Sequence, residues 1–110
     1  MSYKVFVTAD FKKQAKRISK KHPSLKSDLS KLIDSLEVNP IQGTALKHDC
    51  YKIRMAISSK GKGKRGGARI ISCVKIINEV VYLVSIYDKS RKESISDSEL
   101  NELLFVAGLL

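Results

Sequence analysis

The chain has 110 residues, 43% hydrophobic and 29% charged, which suits a single globular domain over residues 1–110 with no second domain to carry a separate activity. No apolar run approaches the ~18 residues of a membrane span, and the N-terminus has no apolar region ahead of a small-residue cleavage site, so a cytoplasmic protein without a membrane partner is expected. Lys and Arg number 21 against 11 Asp and Glu, a formal charge of +10, which leaves nucleic acid, an anionic membrane surface or plain solubility as its physical meanings.

Tyr3 to Thr8 is rich in aromatic and β-branched residues and reads as a first strand. Asp10 is placed to cap a helix whose apolar residues fall at 11, 15 and 18, and whose other faces carry Lys12, Lys13, Lys16, Arg17, Lys20 and Lys21. Pro23 ends it. A second helix begins near Ser24, with Leu25, Leu29, Leu32, Ile33 and Leu36 on one face, and stops before Asn39-Pro40; the two helices form an antiparallel hairpin. Pro40 to Thr44 is expected to be a loop. Tyr51, Ile53, Met55 and Ile57 then alternate with Lys52, Arg54 and Ala56, a half-buried second strand with one basic face.

Ser58 to Gly67 contains four glycines, four cations and no apolar side chain, so an exposed, mobile loop is expected there. Ala68 to Ile77 and Val80 to Tyr87 are β-branched runs separated by Asn78-Glu79, the spacing of a two-residue hairpin. Both runs are apolar on both faces, as central strands are. Ser96-Asp97-Ser98-Glu99 is a capping box ahead of Leu100, Leu103, Leu104 and Ala107 at helical spacing. The expected fold is α+β, in the order β-α-α-β-β-β-α, with the helical hairpin packed on a mainly antiparallel four-stranded sheet.

The charge is uneven along the chain. Residues 41–75 hold nine basic residues and one acidic, residues 1–40 nine and four, and residues 76–110 three and six. Strand parity turns Lys52 and Arg54 away from the helix-packed core. In the third strand Arg69, Ile71, Cys73 and Lys75 share a face, and in the fourth Val81, Leu83, Ser85 and Tyr87 do. Where Arg69 and Tyr87 join Lys52 and Arg54, an exposed sheet face gathers three cations and a phenol, with Lys89, Arg91 and Lys92 following the last strand. That set suits a phosphodiester: arginine offers a fork of donors, lysine a point charge, and tyrosine can stack a base or pass a proton. A solvated basic face with no ligand would show the same residues.

Other chemistries find little support in the sequence. His22 and His48 read as structural or solvated. No GxxxxGK[ST] or G-x-S-x-G pattern occurs. Cys50 and Cys73 form no CxxC or Cys/His cluster, so both are read as free thiols, with no metal site and no cofactor.

Three segments carry a family resemblance: Cys50-Tyr51-Lys52-Ile53-Arg54, Gly61-Lys62-Gly63-Lys64-Arg65-Gly66-Gly67-Ala68-Arg69-Ile70-Ile71, and Tyr87-Asp88-Lys89-Ser90-Arg91-Lys92-Glu93-Ser94-Ile95-Ser96. The chain resembles, from about Tyr3 to Leu104, the RelE/ParE superfamily of bacterial toxins, and within it the HigB-like branch. The resemblance implies a toxin of a type II toxin–antitoxin module, a metal-independent endoribonuclease that cuts mRNA in the ribosomal A site and is held inactive by a cognate antitoxin protein. By the same resemblance Lys52 and Arg54 match the basic pair of the second strand, Arg69 the arginine contacting the scissile phosphate, and Lys89, Arg91 and Lys92 the cations beside the leaving group. Family members often carry a Tyr or His near the C-terminus; Ser94-Ile95-Ser96 has neither, which leaves Tyr87 to take that part.

The expected catalytic set is therefore Lys52, Arg54, Arg69, Tyr87, Lys89, Arg91 and Lys92. Lys60, Lys62, Lys64 and Arg65 of the loop, with Lys12, Lys13, Lys16 and Arg17 of the first helix, are the expected RNA- or ribosome-binding residues. Two alternatives stand beside this reading: a ParE-like inhibitor of DNA gyrase, and a basic RNA- or ribosome-binding module without catalysis.

Overall fold

The computed structural model describes residues 2–110; Met1, the first residue of the expected 1–110 domain, lies outside the described residues. β1 (Lys4–Val7) leads into α1 (Ala9–Lys21) and α2 (Leu25–Val38). β2 (Thr44–Ala45), β3 (Cys50–Met55), β4 (Ala68–Lys75) and β5 (Val80–Asp88) follow, and α3 (Asp97–Val106) closes the chain. The sheet order is β1-β5-β4-β3-β2, antiparallel throughout except that β1 lies parallel to β5.

The fifth strand is β2, in and just beyond the stretch expected to be loop. It pairs with β3 through Thr44–Lys52 and Ala45–Tyr51, and the turn joining them holds His48 and Asp49 at φ 61° and 59°. The Cys50 N–H donates to the Lys47 carbonyl at 3.2 Å. Two successive left-handed residues define a type I′ hairpin turn, which Asn-Gly normally signals. His-Asp hid it, and two residues are too few to show a period.

Three further expectations are corrected locally. Thr8, not Asp10, caps α1: its hydroxyl accepts from the Phe11 N–H at 3.2 Å, while Asp10 sits in the first turn. The β4–β5 connection is the four-residue turn Ile76–Glu79, because Lys75 already pairs with Val80 and Glu79 takes φ 55°. The parity of β5 switches at an irregularity opposite Ile71/Ser72, where the partner jumps from Ser85 to Leu83. Val81, Leu83 and Ile86 thus pack with the helical hairpin, while Val84 and Tyr87 face the other way. A bulge of this kind adds one residue and turns the following side chains over.

Both faces of the sheet are covered. Phe11, Leu25, Leu29 and Leu36 of the hairpin meet Ile53, Met55, Ile70, Val74 and Leu83 on one side. On the other, α3 lays Leu100 and Leu104 over Cys50, Ile71, Cys73, Val84 and Tyr87. Burying each leucine contributes about 1.5–3 kcal/mol. The helix start is the expected capping box, with Ser96 and Glu99 exchanging side-chain and backbone bonds.

The Ser58–Gly67 segment is not the mobile loop its composition implies; tertiary partners hold it. Asp28 accepts from the Ser58 N–H at 2.9 Å, the Ser58 hydroxyl at 2.6 Å and the Ser24 hydroxyl at 2.8 Å. Burial alone would raise the Asp28 carboxyl, but these bonds and Lys31 hold it below its ordinary value. A 3-10 turn, Ser58–Lys60, follows. At the far end Gly67 passes so close to β3 that an added Cβ would lie 2.1 Å from the Met55 carbonyl oxygen.

Candidate active site

Strand register brings the expected cations together. Arg54 pairs with Arg69 across β3 and β4, and Arg69 pairs with Tyr87 across β4 and β5. Lys52 lies two residues before Arg54 on the same face, opposite Ile71. Like charges directly opposite one another in a sheet destabilise it. Among the described residues no Asp or Glu forms an ion pair with Lys52, Arg54 or Arg69, so the row keeps its full positive field for an external anion.

Arg69 is not the exposed-face arginine expected from the sequence. It is 5% exposed, and its guanidinium donates to the carbonyls of Lys64 at 2.9 Å, Ala68 at 3.2 Å and Arg65 at 3.3 Å. Burial pushes its pKa down, Arg54 adds to that, and Tyr87 opposes it. Arg54 is exposed and Lys52 half-buried. The two arginines therefore differ in kind: one is seated in the loop, the other reaches into solvent.

Tyr87 is 7% exposed, and its hydroxyl has no hydrogen-bond partner among the described residues. Burial pushes the phenol up, Arg69 pulls it back and Glu99 pushes it up again, so it stays protonated near neutral pH and can donate. The Lys92 ammonium stands 5.7 Å from the Tyr87 ring centroid while paired with Glu99. Lys89 is bound to Glu93 at 3.0 Å, and its backbone N–H donates to Gly67 O at 3.0 Å. Arg91 is exposed and forms no ion pair among the described residues.

Lys60 does not belong with the solvent-facing cations of the loop. Its ammonium lies 2.8 Å from Asp88, the two side chains being 8% and 9% exposed. Burial would raise the Asp88 carboxyl, but the bonds from Lys60 and from the Ser90 hydroxyl and N–H bring it down to about 2. Lys62, Lys64 and Arg65 are exposed as expected. Lys12, Lys13, Lys16 and Arg17 are exposed on α1, the helix packed against the opposite face of the sheet, and of these four Arg17 lines a cavity shared with Tyr87, Arg91 and Lys92.

Residues not assigned from the sequence complete the surroundings. Past Val7, where β1 ends, the edge of β5 is open, and the Gln14 side-chain oxygen accepts from the Ile86 N–H at 3.0 Å and the Ser85 hydroxyl at 3.3 Å. Beside it lies a cavity of about 440 Å³ lined by Arg17, Lys21, His22, Tyr87, Arg91 and Lys92 among others. His22, read as structural or solvated, stands 3.5 Å from Asp88 in that wall. No local pattern marks His22 or Gln14; both depend on where α1 crosses β5. His48 is bonded to Asn101 at 2.9 Å at the surface. No group of three His, Cys, Asp or Glu among the described residues is placed to hold a metal ion, and no helix among them is long and apolar enough to cross a membrane.

A helical hairpin on a mixed five-stranded sheet is the fold of the RelE-like toxins. Three solved structures share the fold. Toxin RelE of E. coli, as an arginine mutant in the free state, matches with TM-score 0.59 and 20% identity over 98% of this chain and 96% of that one. The RelBE2 toxin–antitoxin complex of Mycobacterium tuberculosis matches with TM-score 0.59 and 12% identity, covering 80% and 99%. The archaeal RelE–RelB complex of Pyrococcus horikoshii matches with TM-score 0.54 and 20% identity, covering 84% and 100%. The family model described as the RelE toxin of the RelE/RelB toxin–antitoxin system matches residues 3–110, and the chain belongs to that family.

Proposed function

We propose that this toxin is an endoribonuclease that cuts mRNA in the ribosomal A site, acts in the cytoplasm without a metal, and is silenced by a cognate antitoxin. The observation carrying this reading is the in-register row Arg54, Arg69 and Tyr87, with Lys52 beside it and no carboxylate in the row. Cleavage by the substrate's own 2′-hydroxyl needs a proton acceptor, charge stabilisation at the phosphorane and a donor for the leaving 5′-oxygen. Lys52 takes the hydroxyl proton, Arg54 and Arg69 hold the equatorial oxygens, and the protonated Tyr87 with Arg91 or Lys92 serves the leaving oxygen. Lys89 and Lys92 each join this set by exchanging a surface ion pair, with Glu93 and Glu99, for the substrate.

Lys62, Lys64 and Arg65 bind the ribosomal RNA backbone, and the exposed cations of α1 add a second contact. An acidic antitoxin segment that orders on binding fits the +8 stretch 41–75, in keeping with relatives crystallised as RelE–RelB complexes. The G-K-G-K-R-G-G-A-R segment supports the HigB-like branch.

Induced expression, with translation and DNA supercoiling measured separately, tests the reading. Arrested translation with message cut on the ribosome supports it. Altered supercoiling with intact message supports a gyrase inhibitor, and stalled translation with intact message a binding module. A substrate with a 2′-deoxy nucleotide at the cleavage position should resist cutting, and the natural one should leave a 2′,3′-cyclic or 3′-phosphate end with EDTA present.

A further inference from the structure

We propose that Cys50 and Cys73 are a reversible disulfide site, closed by a hydroperoxide and reopened by thiol exchange. They are direct cross-strand neighbours on β3 and β4. The Val74 N–H donates to the Asp49 carbonyl at 3.0 Å, which makes Asp49 and Val74 the hydrogen-bonded pair and Cys50 and Cys73 the non-bonded pair beside it. In such a pair the Cα atoms stand about 4.5 Å apart with the side chains drawn together, inside the roughly 4.4–6.8 Å range that a disulfide spans. Both thiols turn to the α3 side of the sheet. Their sulfurs lie 3.6 and 3.7 Å from one atom, the carbonyl oxygen of His48.

The chemistry closes with a peroxide as the only co-reactant. The Cys73 thiolate attacks one peroxide oxygen, the O–O bond breaks, and hydroxide leaves and takes up the thiol proton as water, giving a sulfenic acid. The Cys50 sulfur then attacks that sulfur, the S–O bond breaks, and hydroxide leaves with the Cys50 proton as a second water. Two thiols are oxidised by two electrons and one hydrogen peroxide is reduced. The adjacent Cys50 thiol holds the Cys73 thiol down to about 7 against its burial, with Lys75 helping, while the adjacent Cys73 and burial push Cys50 up. The thiolate and the resolving thiol are thereby distinguished.

Both thiols have 0% exposure, so the oxidant enters when α3 lifts. Apart from Leu100 and Leu104, surface contacts hold that helix: Lys47–Asp97 at 3.1 Å, His48–Asn101 at 2.9 Å and the Lys92–Glu99 pair. Helices held this way are the parts that open locally. The bond would close a covalent loop over residues 50–73, and that loop contains Lys52, Arg54, Lys62, Lys64, Arg65 and Arg69. Oxidation would thus pin the register of the basic row, whatever reaction the row performs.

The purified full chain, treated with hydrogen peroxide, tests this by intact mass. The expected product is a monomer lighter by two hydrogen atoms, with the segments around Cys50 and Cys73 joined in a non-reducing digest and the change reversed by dithiothreitol. Its unfolding equilibrium constant in denaturant should fall about 300-fold, as loop-closure entropy for a loop of this length requires. Cys50→Ala and Cys73→Ser should each abolish the product. A peroxide-treated wild-type monomer with both thiols still alkylatable after denaturation, or one that gains oxygen without the cross-link, overturns the proposal, and wild-type protein alone suffices to see it.

Discussion

Arg54 and Arg69 face each other across β3 and β4; among the described residues no carboxylate pairs with either, and Arg69 alone of the two is anchored by hydrogen bonds to protein atoms. The two positions should therefore respond differently to the same substitution. Arg54→Ala removes an exposed charge from a repulsive pair, so stability should hold within about 0.5 kcal/mol or rise, while cleavage of ribosome-bound message falls about 10²–10³-fold. Arg69→Ala should lose activity and stability together, because the loop carbonyls of Lys64 and Arg65 and the Ala68 carbonyl of β4 lose their donor. Parallel denaturant titrations and cleavage assays decide it; equal stability loss in the two variants would refute the distinction.

Within the loop, position 60 should separate from positions 62, 64 and 65. Lys60→Ala leaves Asp88 charged and largely buried, at a cost of about 3–5 kcal/mol. Lys62→Ser, Lys64→Ser and Arg65→Ser should leave stability unchanged but weaken ribosome binding. Each lost phosphate contact should remove about one unit from the slope of log affinity against log salt. An unchanged slope would show that these cations do not touch RNA.

The same ion pair sets an acid limit on the fold. Asp88 titrates at about 2 in the folded chain against an ordinary 3.8. Its folded value is depressed, so its contribution is complete above pH 4 and drains away as pH falls from 4 toward 2. At neutral pH it amounts to about 1–2 kcal/mol after allowance for solvent screening. Asp88→Asn should flatten the stability curve across that window in urea titrations at stepped pH; a curve as steep as the parent's would contradict the assignment.

Backbone geometry predicts opposite outcomes at two turns. Asp49→Gly relieves a left-handed residue in the β2–β3 turn and should stabilise the chain by up to about 1 kcal/mol. Gly67→Ala forces the strand entry away from the Met55 carbonyl, disturbing the loop that seats Arg69, and should destabilise by about 1–3 kcal/mol with loss of activity. Thermal unfolding of both variants, measured with cleavage, checks the signs.

The order of the long elements was legible in local patterns because each was long enough to show one: the leucines of α2, the alternation of Tyr51, Ile53 and Met55, and the Ser96–Glu99 box before α3. The same alternation turned Lys52 and Arg54 to one face, since parity along an uninterrupted strand follows from the chain itself. Parity across strands does not. Tyr87 reached the face of Arg69 only through the irregularity opposite Ile71/Ser72, which no residue pattern announces. Burial of charge was likewise beyond a local reading. Lys60 and Lys62 stand two residues apart in the same glycine-rich segment, and only the distant Asp88 decides that one is an internal ion pair and the other a solvent-facing cation. Periodicity is a property of neighbours along the chain and so can be read from it, whereas ion pairing, strand register and the seating of Arg69 are properties of neighbours in space, which exist only once the chain has folded.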